Sequence, residues 1–468
     1  MNSIKNMLQD RNFMVKTFTI AIPITFQNML NNLLNLADIL IVGQLGETSV
    51  AAVGLANKVF FVFSLLMFGI CSGSGILSSQ YYGKREINNI KRVLRLSLLI
   101  GITGSFLFLI PGILCPGFVM SIFTDKKDMI TVGAAYLGVI AISYPLTAVT
   151  NVYTAILRSM NYVKAPVIIT MIAIIINVIL NYCLVFGKLG LPVMGVAGAA
   201  LATVIARIVE LILLQLVIRS NKAGDDGIGD FVHSSVHDTT EEKQPFLNKA
   251  FVQKYLYTAA PVIANEFMWG LGVTMYSLVY GRMGGAATAA ITMTNTVEQM
   301  GMVFLFGVSN AAAVILGNEL GADDLKKAEE HAKNYLIMLF VVSLGIALLI
   351  FLLKDAIVSI FPASELVQFY LRWCIVVFVL YLPIRAVDTL IIVAILRSGG
   401  DTRAALFLDV SGVWLIGIPM ALLGGFVLHL PIYCVYAMVL TEEIYKTILG
   451  YRRYRKKKWL KNIVSESL

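Results

Sequence analysis

Val42-Gly43-Gln44-Leu45-Gly46 returns 238 residues later as Tyr280-Gly281-Arg282-Met283-Gly284. Pro23 and Pro261 stand at the same offset, as do Tyr82-Gly83-Lys84 and Leu320-Gly321-Ala322. Leu157-Arg158-Ser159 is answered by Leu396-Arg397-Ser398 at 239. Four landmarks at one spacing mark an internal duplication.

The sequence between the landmarks is apolar. Of 468 residues 58% are hydrophobic and only 14% charged, with a mean hydropathy of +0.80. Soluble domains carry about 25% charged residues. Runs such as Val167–Ile176, Ile337–Leu353 and Ala404–Leu428 belong to segments that approach the roughly 20 residues a membrane span needs. Lipid admits only helices or closed barrels, and unbroken Leu, Ile and Ala runs select helices. Helices are expected at 17–42, 50–79, 93–118, 129–157, 165–187, 195–218, 253–280, 287–316, 334–353, 365–396, 404–425 and 430–450. The expected fold is an all-α integral membrane protein. Its twelve transmembrane helices form two six-helix lobes, 1–219 and 253–468, joined by a polar linker, 220–252. Six helices per half give both halves one orientation, so the repeat is parallel.

The formal charge of +9 follows topology. With a cytoplasmic N-terminus, 28 Lys and Arg fall on the cytoplasmic side, eight of them at the C-terminus. Six fall opposite (Lys126, Lys127, Lys188, Arg282, Lys354 and Arg372), and Lys58, Arg207 and Arg385 lie inside helices. The asymmetry places both termini in the cytoplasm of a plasma-membrane protein. It directs the basic tail Arg452–Lys458 to anionic lipid headgroups and not to nucleic acid. The N-terminus lacks a signal-peptide pattern. The five cysteines lie in apolar stretches without CxxC spacing, which argues against a disulfide framework or a metal centre. His233 and His237 in the linker sit four apart without other nearby ligands in a fixed frame.

Polar residues inside spans cost roughly 2.5–3.5 kcal/mol each when charged and signal function. Asn28, Asn31, Asn35 and Asp38 draw one stripe down the first helix, which is expected to line a cavity. Asn177 and Asn181 lie one turn apart on the fifth helix and Thr203 on the sixth. Their oxygens suit a hard cation or could orient a protonatable Asp38; amide pairs also serve as packing glue. The second half offers Glu266, Glu298 and Asp388. At offset 238 Asn28 is the repeat partner of Glu266. Arg385 stands three residues before Asp388, so an i, i+3 ion pair is an alternative reading of that aspartate, and Arg207 with Glu210 resembles such a pair. Pro23 kinks its helix, as a static bend or as a hinge tied to the charge of Asp38.

These residues together resemble the multidrug and toxic compound extrusion (MATE) family. The marks are Pro23, Ala37-Asp38 with Val42–Gly46, Ser79-Gln80-Tyr81-Tyr82-Gly83, Leu157-Arg158-Ser159, Gly317–Ala322 and Leu396–Thr402. The resemblance covers nearly the whole chain. It implies cation-coupled export of organic, often cationic, compounds. It assigns cation coupling to Asp38, Asn177, Asn181, Thr203, Glu266 and Asp388. Asn181 stands where several members carry an aspartate, which leaves fewer charges in the first lobe. Glu266 and Asp388 match acidic positions of the NorM-like branch, whereas Glu298 is not matched to a family position and rests on burial alone. With Asn28, Asn31 and Asn35, Glu298 is expected to face the substrate cavity.

The expected function is a monomeric secondary antiporter that exchanges amphipathic cations for Na⁺ or H⁺ by alternating access. Its partners are small organic substrates and membrane lipids. It needs no cofactor and no metal beyond Na⁺. A lipid-linked precursor flippase is the alternative; it would want a basic cavity or extra helices. HExxH, GxSxG and paired transmembrane catalytic aspartates are absent, against an enzyme. A channel would not need two movable lobes, and no P-loop supplies ATP energy.

Overall fold

The computed structural model describes residues 10–220 and 248–465. The expected linker, with His233 and His237, lies largely outside them; its last residues, from Lys249, already belong to a helix.

The described residues form helices and no strand. The first half contains α1 (Arg11–Gly43), α2 (Glu47–Gly83), α3 (Ile87–Leu114), α4 (Pro116–Ser121), α5 (Lys127–Ile140), α6 (Ser143–Ser159), α7 (Lys164–Phe186) and α8 (Gly195–Ser220). The second contains α9 (Lys249–Arg282), α10 (Gly285–Gly321), α11 (Leu325–Ile360), α12 (Glu365–Leu396), α13 (Thr402–Val427), α14 (Ile432–Val439) and α15 (Thr441–Arg455). Each expected segment coincides with a helix or an interrupted helix pair. Among the described residues nine helices are long and apolar enough to cross a membrane, or ten if α5 and α6, bent by 47°, form one span. Helix α1 is long enough, but its polar stripe lowers its hydropathy; α14 and α15 are individually short.

The duplication extends to backbone geometry. Helices α2 and α10 each have 37 residues. The residue before each is a glycine at positive φ, Gly46 at 102° and Gly284 at 111°, with ψ near 165°. That region is essentially closed to side chains, so the sharp entry into both helices requires glycine. Arg85 (φ 61°) and Asp323 (φ 62°) repeat a second left-handed turn at offset 238. Asn161 (φ 67°) and Gly400 (φ 72°) repeat a third at 239. The halves diverge where α12 and α13 contain π-helical turns at Leu390–Leu396, Val413–Gly417 and Leu423–Val427. The matching stretches of α6 and most of α7 are plain α-helix.

The chain forms two compact units. Unit one joins residues up to Thr25 with those from Ala260 onward; unit two is Phe26–Ala259. These units differ from the chain-order division at 1–219 and 253–468. Helix α1 changes unit between Thr25 and Phe26, and α9 between Ala259 and Ala260, each beside its proline.

Inside unit two, Phe63 is fully buried and stacks on Tyr144 with ring centroids 5.0 Å apart. Helices α7 and α8 touch backbone to side: a Cβ on Gly198 would lie 2.7 Å from the Leu184 carbonyl oxygen. Between apolar helices in lipid such close approach supplies the packing energy. Inside unit one, the start of α1 docks on α11 through Thr17 and Tyr335, whose hydroxyls are 2.7 Å apart, and through Phe13 packed at a tilt against His331. The chain after α15 turns back onto its own unit. Trp459 is fully buried and stacks on Tyr454, and Asn462 donates to the Gly321 carbonyl. Arg453 binds both oxygens of Asp401, and Lys457 pairs with Glu329 at 2.5 Å. The expected lipid-facing tail therefore spends two of its charges on its own protein, because Asp401 before α13 and Glu329 near the start of α11 lie within reach.

Candidate functional site

Each unit buries its own polar group. In unit two Asp38 lies on the α1 stripe, half-buried, and accepts a 2.6 Å hydrogen bond from Asn181 Nδ2. One turn back on α7, Asn177 Nδ2 donates to Thr203 Oγ1 at 3.1 Å, and Thr203 donates to the Ala199 carbonyl. Asn177 is 2% exposed and Asn181 fully buried. Their carbonyl oxygens, Oδ1 in both, find no donor among the described residues. Unpaired buried amide oxygens are costly, and that of Asn181 sits on the same amide that donates to Asp38.

A small cavity of ≈ 20 Å³ lies alongside, lined by Asn31, Thr170, Asn177, Thr203, Arg207 and Glu210 among others. A bonded chain leads away from it. Arg207 holds Glu210 at 2.6 Å, Thr170 donates to Glu210 at 3.0 Å, and Gln27 Nε2 donates to Thr170 at 2.8 Å. Arg158 in turn donates to Gln27 Oε1. The structure thus groups Asp38, Asn177, Asn181 and Thr203 and adds Asn31. Asn28 is half-buried and Asn35 exposed, and neither joins these bonds. Pro23 lies within a continuous α1. The Arg207–Glu210 pair forms as its spacing predicts.

Unit one is chemically different. Glu266 accepts from Arg397 at 2.9 Å, and both are buried. The neighbouring Asn265 donates to Asp409 at 2.9 Å. Arg385 does not close onto Asp388. Its guanidinium reaches Glu298 on α10 at 2.6 Å and Glu443 on α15 at 3.7 Å. Tyr436 also donates to Glu298. Asp388 meets Lys446 at 3.6 Å instead. Glu298 is therefore held by an arginine and a tyrosine inside the unit.

One reading from the sequence needs correction. Lys446, counted with the cytoplasmic C-terminal charges, lies buried within α15. Gln27, next to Asn28, is bonded to Arg158 much as Glu266 is to Arg397, each to an arginine 131 residues ahead. Asp409, Glu442, Glu443 and Lys446 went unnoticed. Asp409 is one charge in a long apolar run. Glu442-Glu443-x-x-Lys446 did carry a signal, an i, i+3, i+4 acid–base spacing inside a predicted span.

Comparison with known proteins fits this architecture. The sequence profile of the MatE family matches residues 23–183 and again 261–423. A transporter of Bacillus subtilis called YisQ, itself uncharacterised, is 23% identical over 450 residues, covering 95% of this chain and 94% of that one. A probable multidrug resistance protein NorM of Thermotoga maritima is 24% identical over 460 residues, covering 95% and 93%. The crystal structure of a mutant MATE transporter VcmN of Vibrio cholerae superposes with a TM-score of 0.85 at 17% identity, covering all of both chains.

Proposed function

The chain belongs to the MatE family of multi-pass membrane transporters, and from that premise we propose that it is a secondary antiporter exporting organic, cationic amphipathic compounds in exchange for Na⁺ or H⁺. We place it in the plasma membrane as a monomer, with both termini cytoplasmic, no cofactor and no enzymatic activity. Its two six-helix lobes alternate access, with Pro23 as hinge.

One observation carries this reading. Asp38 is a carboxylate within the helical bundle for which no ion pair forms within 4 Å among the described residues; its bonded neighbour is the amide of Asn181. A carboxylate in that setting favours a cation or a proton. The Oδ1 atoms of Asn177 and Asn181 supply further acceptors. Glu266 and Asp388, by contrast, already face Arg397 and Lys446. We therefore assign the coupling cation first to Asp38 with Asn177, Asn181 and Thr203. A charge crossing a 100 mV potential contributes about 2.3 kcal/mol, enough for roughly a 50-fold substrate gradient. Asn28, Asn31 and Asn35 on the same helix are proposed to face the substrate, as is Glu298.

The test is ethidium efflux from proteoliposomes under separately imposed Na⁺ and H⁺ gradients. Export accelerated by one inward gradient supports the antiporter; export indifferent to both overturns it.

A further inference from the structure

The two repeats seat their first helices alike. In unit one the hydroxyls of Thr17 on α1 and Tyr335 on α11 share a hydrogen bond, and buried Phe13 lies 4.8 Å from the Tyr335 ring. In unit two the hydroxyls of Tyr255 on α9 and Ser97 on α3 share one of 2.9 Å, and buried Phe251 stacks on Tyr81 of α2. Thr17 and Tyr255, Tyr335 and Ser97, and Phe13 and Phe251 are equivalent at offset 238. A hydroxyl pair and a buried phenyl ring are thus common to both seats.

The charge beside the phenyl ring differs. Phe251 carries Arg92 at 4.2 Å from its centroid, a permanent cation. Phe13 carries His331 at 4.7 Å, and imidazole is the side chain that titrates between about pH 5 and 8. Around His331 stand Glu319 of α10 and Asp10 at the entry to α1. The positions equivalent to His331, Glu319 and Asp10 in the other repeat hold Val93, Tyr81 and Asn248. His331 Nδ1 lies 2.7 Å from Glu319 Oε1, and Nε2 lies 3.8 Å from Asp10 Oδ2. His331 is 5% exposed and Glu319 6%, and the second oxygen of Glu319 finds no donor among the described residues.

An ionised carboxylate only accepts, so Nδ1 carries the hydrogen of the short bond. A neutral ring then turns the lone pair of Nε2 towards the carboxylate of Asp10 and leaves the buried charge of Glu319 unmatched. A second proton, on Nε2, changes both: the ring becomes a cation between two anions. The other charged groups of these elements are engaged or turned outward. Tyr335 is bonded to Thr17, Lys457 of the C-terminal segment pairs with Glu329, and Arg397 of α12 pairs with Glu266. Arg11 and Lys16 on α1 and Lys327, Glu330 and Lys333 on α11 are exposed.

We propose that His331 is the bolt of a pH-dependent latch: its imidazolium joins Glu319 on α10 to Asp10 on α1, so that the first turns of α1 are held more tightly as the cytoplasmic pH falls. The hold weakens as the ring loses its proton on the alkaline side. The seat of α9, with its permanent cation, does not respond. Helix α1 continues unbroken to Asp38, so the latch acts on the helix to which the coupling cation is assigned. That bearing on transport, and the cytoplasmic side, rest on the antiporter reading; the latch itself does not.

The experiment is amide hydrogen exchange of the purified full-length protein, read by mass spectrometry at pH 5.5 and 8.0 and corrected for intrinsic exchange. Protection of residues 11–20 is expected to fall at least fivefold from the lower pH to the higher, while that of 249–258 changes less than twofold. His331→Gln keeps an amide to donate to Glu319 but cannot charge, and should bring the change at 11–20 below twofold. Asp10→Asn still caps α1 on a partly exposed side chain and should at least halve the change. Asp38→Asn should leave it intact. Equal protection of 11–20 at both pH values in the wild type overturns the proposal, as does a change undiminished in His331→Gln or in Asp10→Asn. Loss of the change in Asp38→Asn overturns it too, by tracing the response to the cation site. Dye export indifferent to both gradients, with the response of 11–20 intact, would sink the antiporter and leave the latch standing.

Discussion

Arg397 donates to Glu266 at 2.9 Å with the same separation, 131 residues, that Arg158 keeps from Gln27. The two repeats thus hold similar contacts of different chemistry, an ion pair in one and an arginine–amide hydrogen bond in the other. Removing one partner of a buried pair strands the other charge, at about 3–5 kcal/mol. Glu266→Ala should therefore destabilise the protein by about that amount. Glu266→Gln restores the contact of the first repeat and should cost clearly less. Denaturation midpoints in detergent check the order; equal losses would show that the charge of Glu266 and not its bond is what Arg397 needs.

Asp38→Asn keeps an oxygen to accept from Asn181 but removes the charge. Ion-driven ethidium export should fall at least tenfold while the melting temperature stays within a few degrees. Normal transport by this variant would move the coupling site out of unit two.

Gly46 and Gly284 have open space around a would-be Cβ, so only backbone strain opposes a side chain there. Gly46→Ala and Gly284→Ala should each cost about 1–3 kcal/mol. As equivalent turns far apart in sequence, their effects should add in the double variant. Melting curves decide it; a neutral substitution at either would show that the turn relaxes.

Trp459 is fully buried after the last helix. Trp459→Ala should destabilise by about 3–5 kcal/mol and expose the C-terminal segment to protease. Limited proteolysis followed by mass spectrometry would detect the new cleavage, and an unchanged digestion pattern would contradict the docking of that segment.

Hydropathy is a local property, which is why the long apolar helices were legible in the sequence while the breaks between α3 and α4, α5 and α6, and α14 and α15 were not. The repeat was legible because turns need particular residues: Gly46 and Gly284 are fixed by φ and not by chemistry. The group around Asp38 was also legible, since amides are rare enough in apolar helices for Asn177 and Asn181 to stand out. Partner choice was not. Arg385 could serve Asp388 three residues on, but its long side chain finds Glu298 across a helix pair, a contact with no trace in local spacing. Lys446 was lost for a different reason: counted by its nearness to a basic tail, it looked like topology when it is interior chemistry.

The π-helical turns of α12 and α13 have a consequence for that interior. Leu390–Leu396 begins two residues after Asp388, and Val413–Gly417 begins four after Asp409. A π turn stores one residue beyond an α turn, and an α-helix advances about 100° per residue. Drawing the stored residue back into α register would swing the helix beyond it by that angle while its ends stay anchored. The second repeat thus owns a slack that the first repeat, α-helical in most of the matching stretches, lacks. It is positioned to let Asp388 and Asp409 be re-aimed by sliding one residue along the axis, with no helix tilting at all.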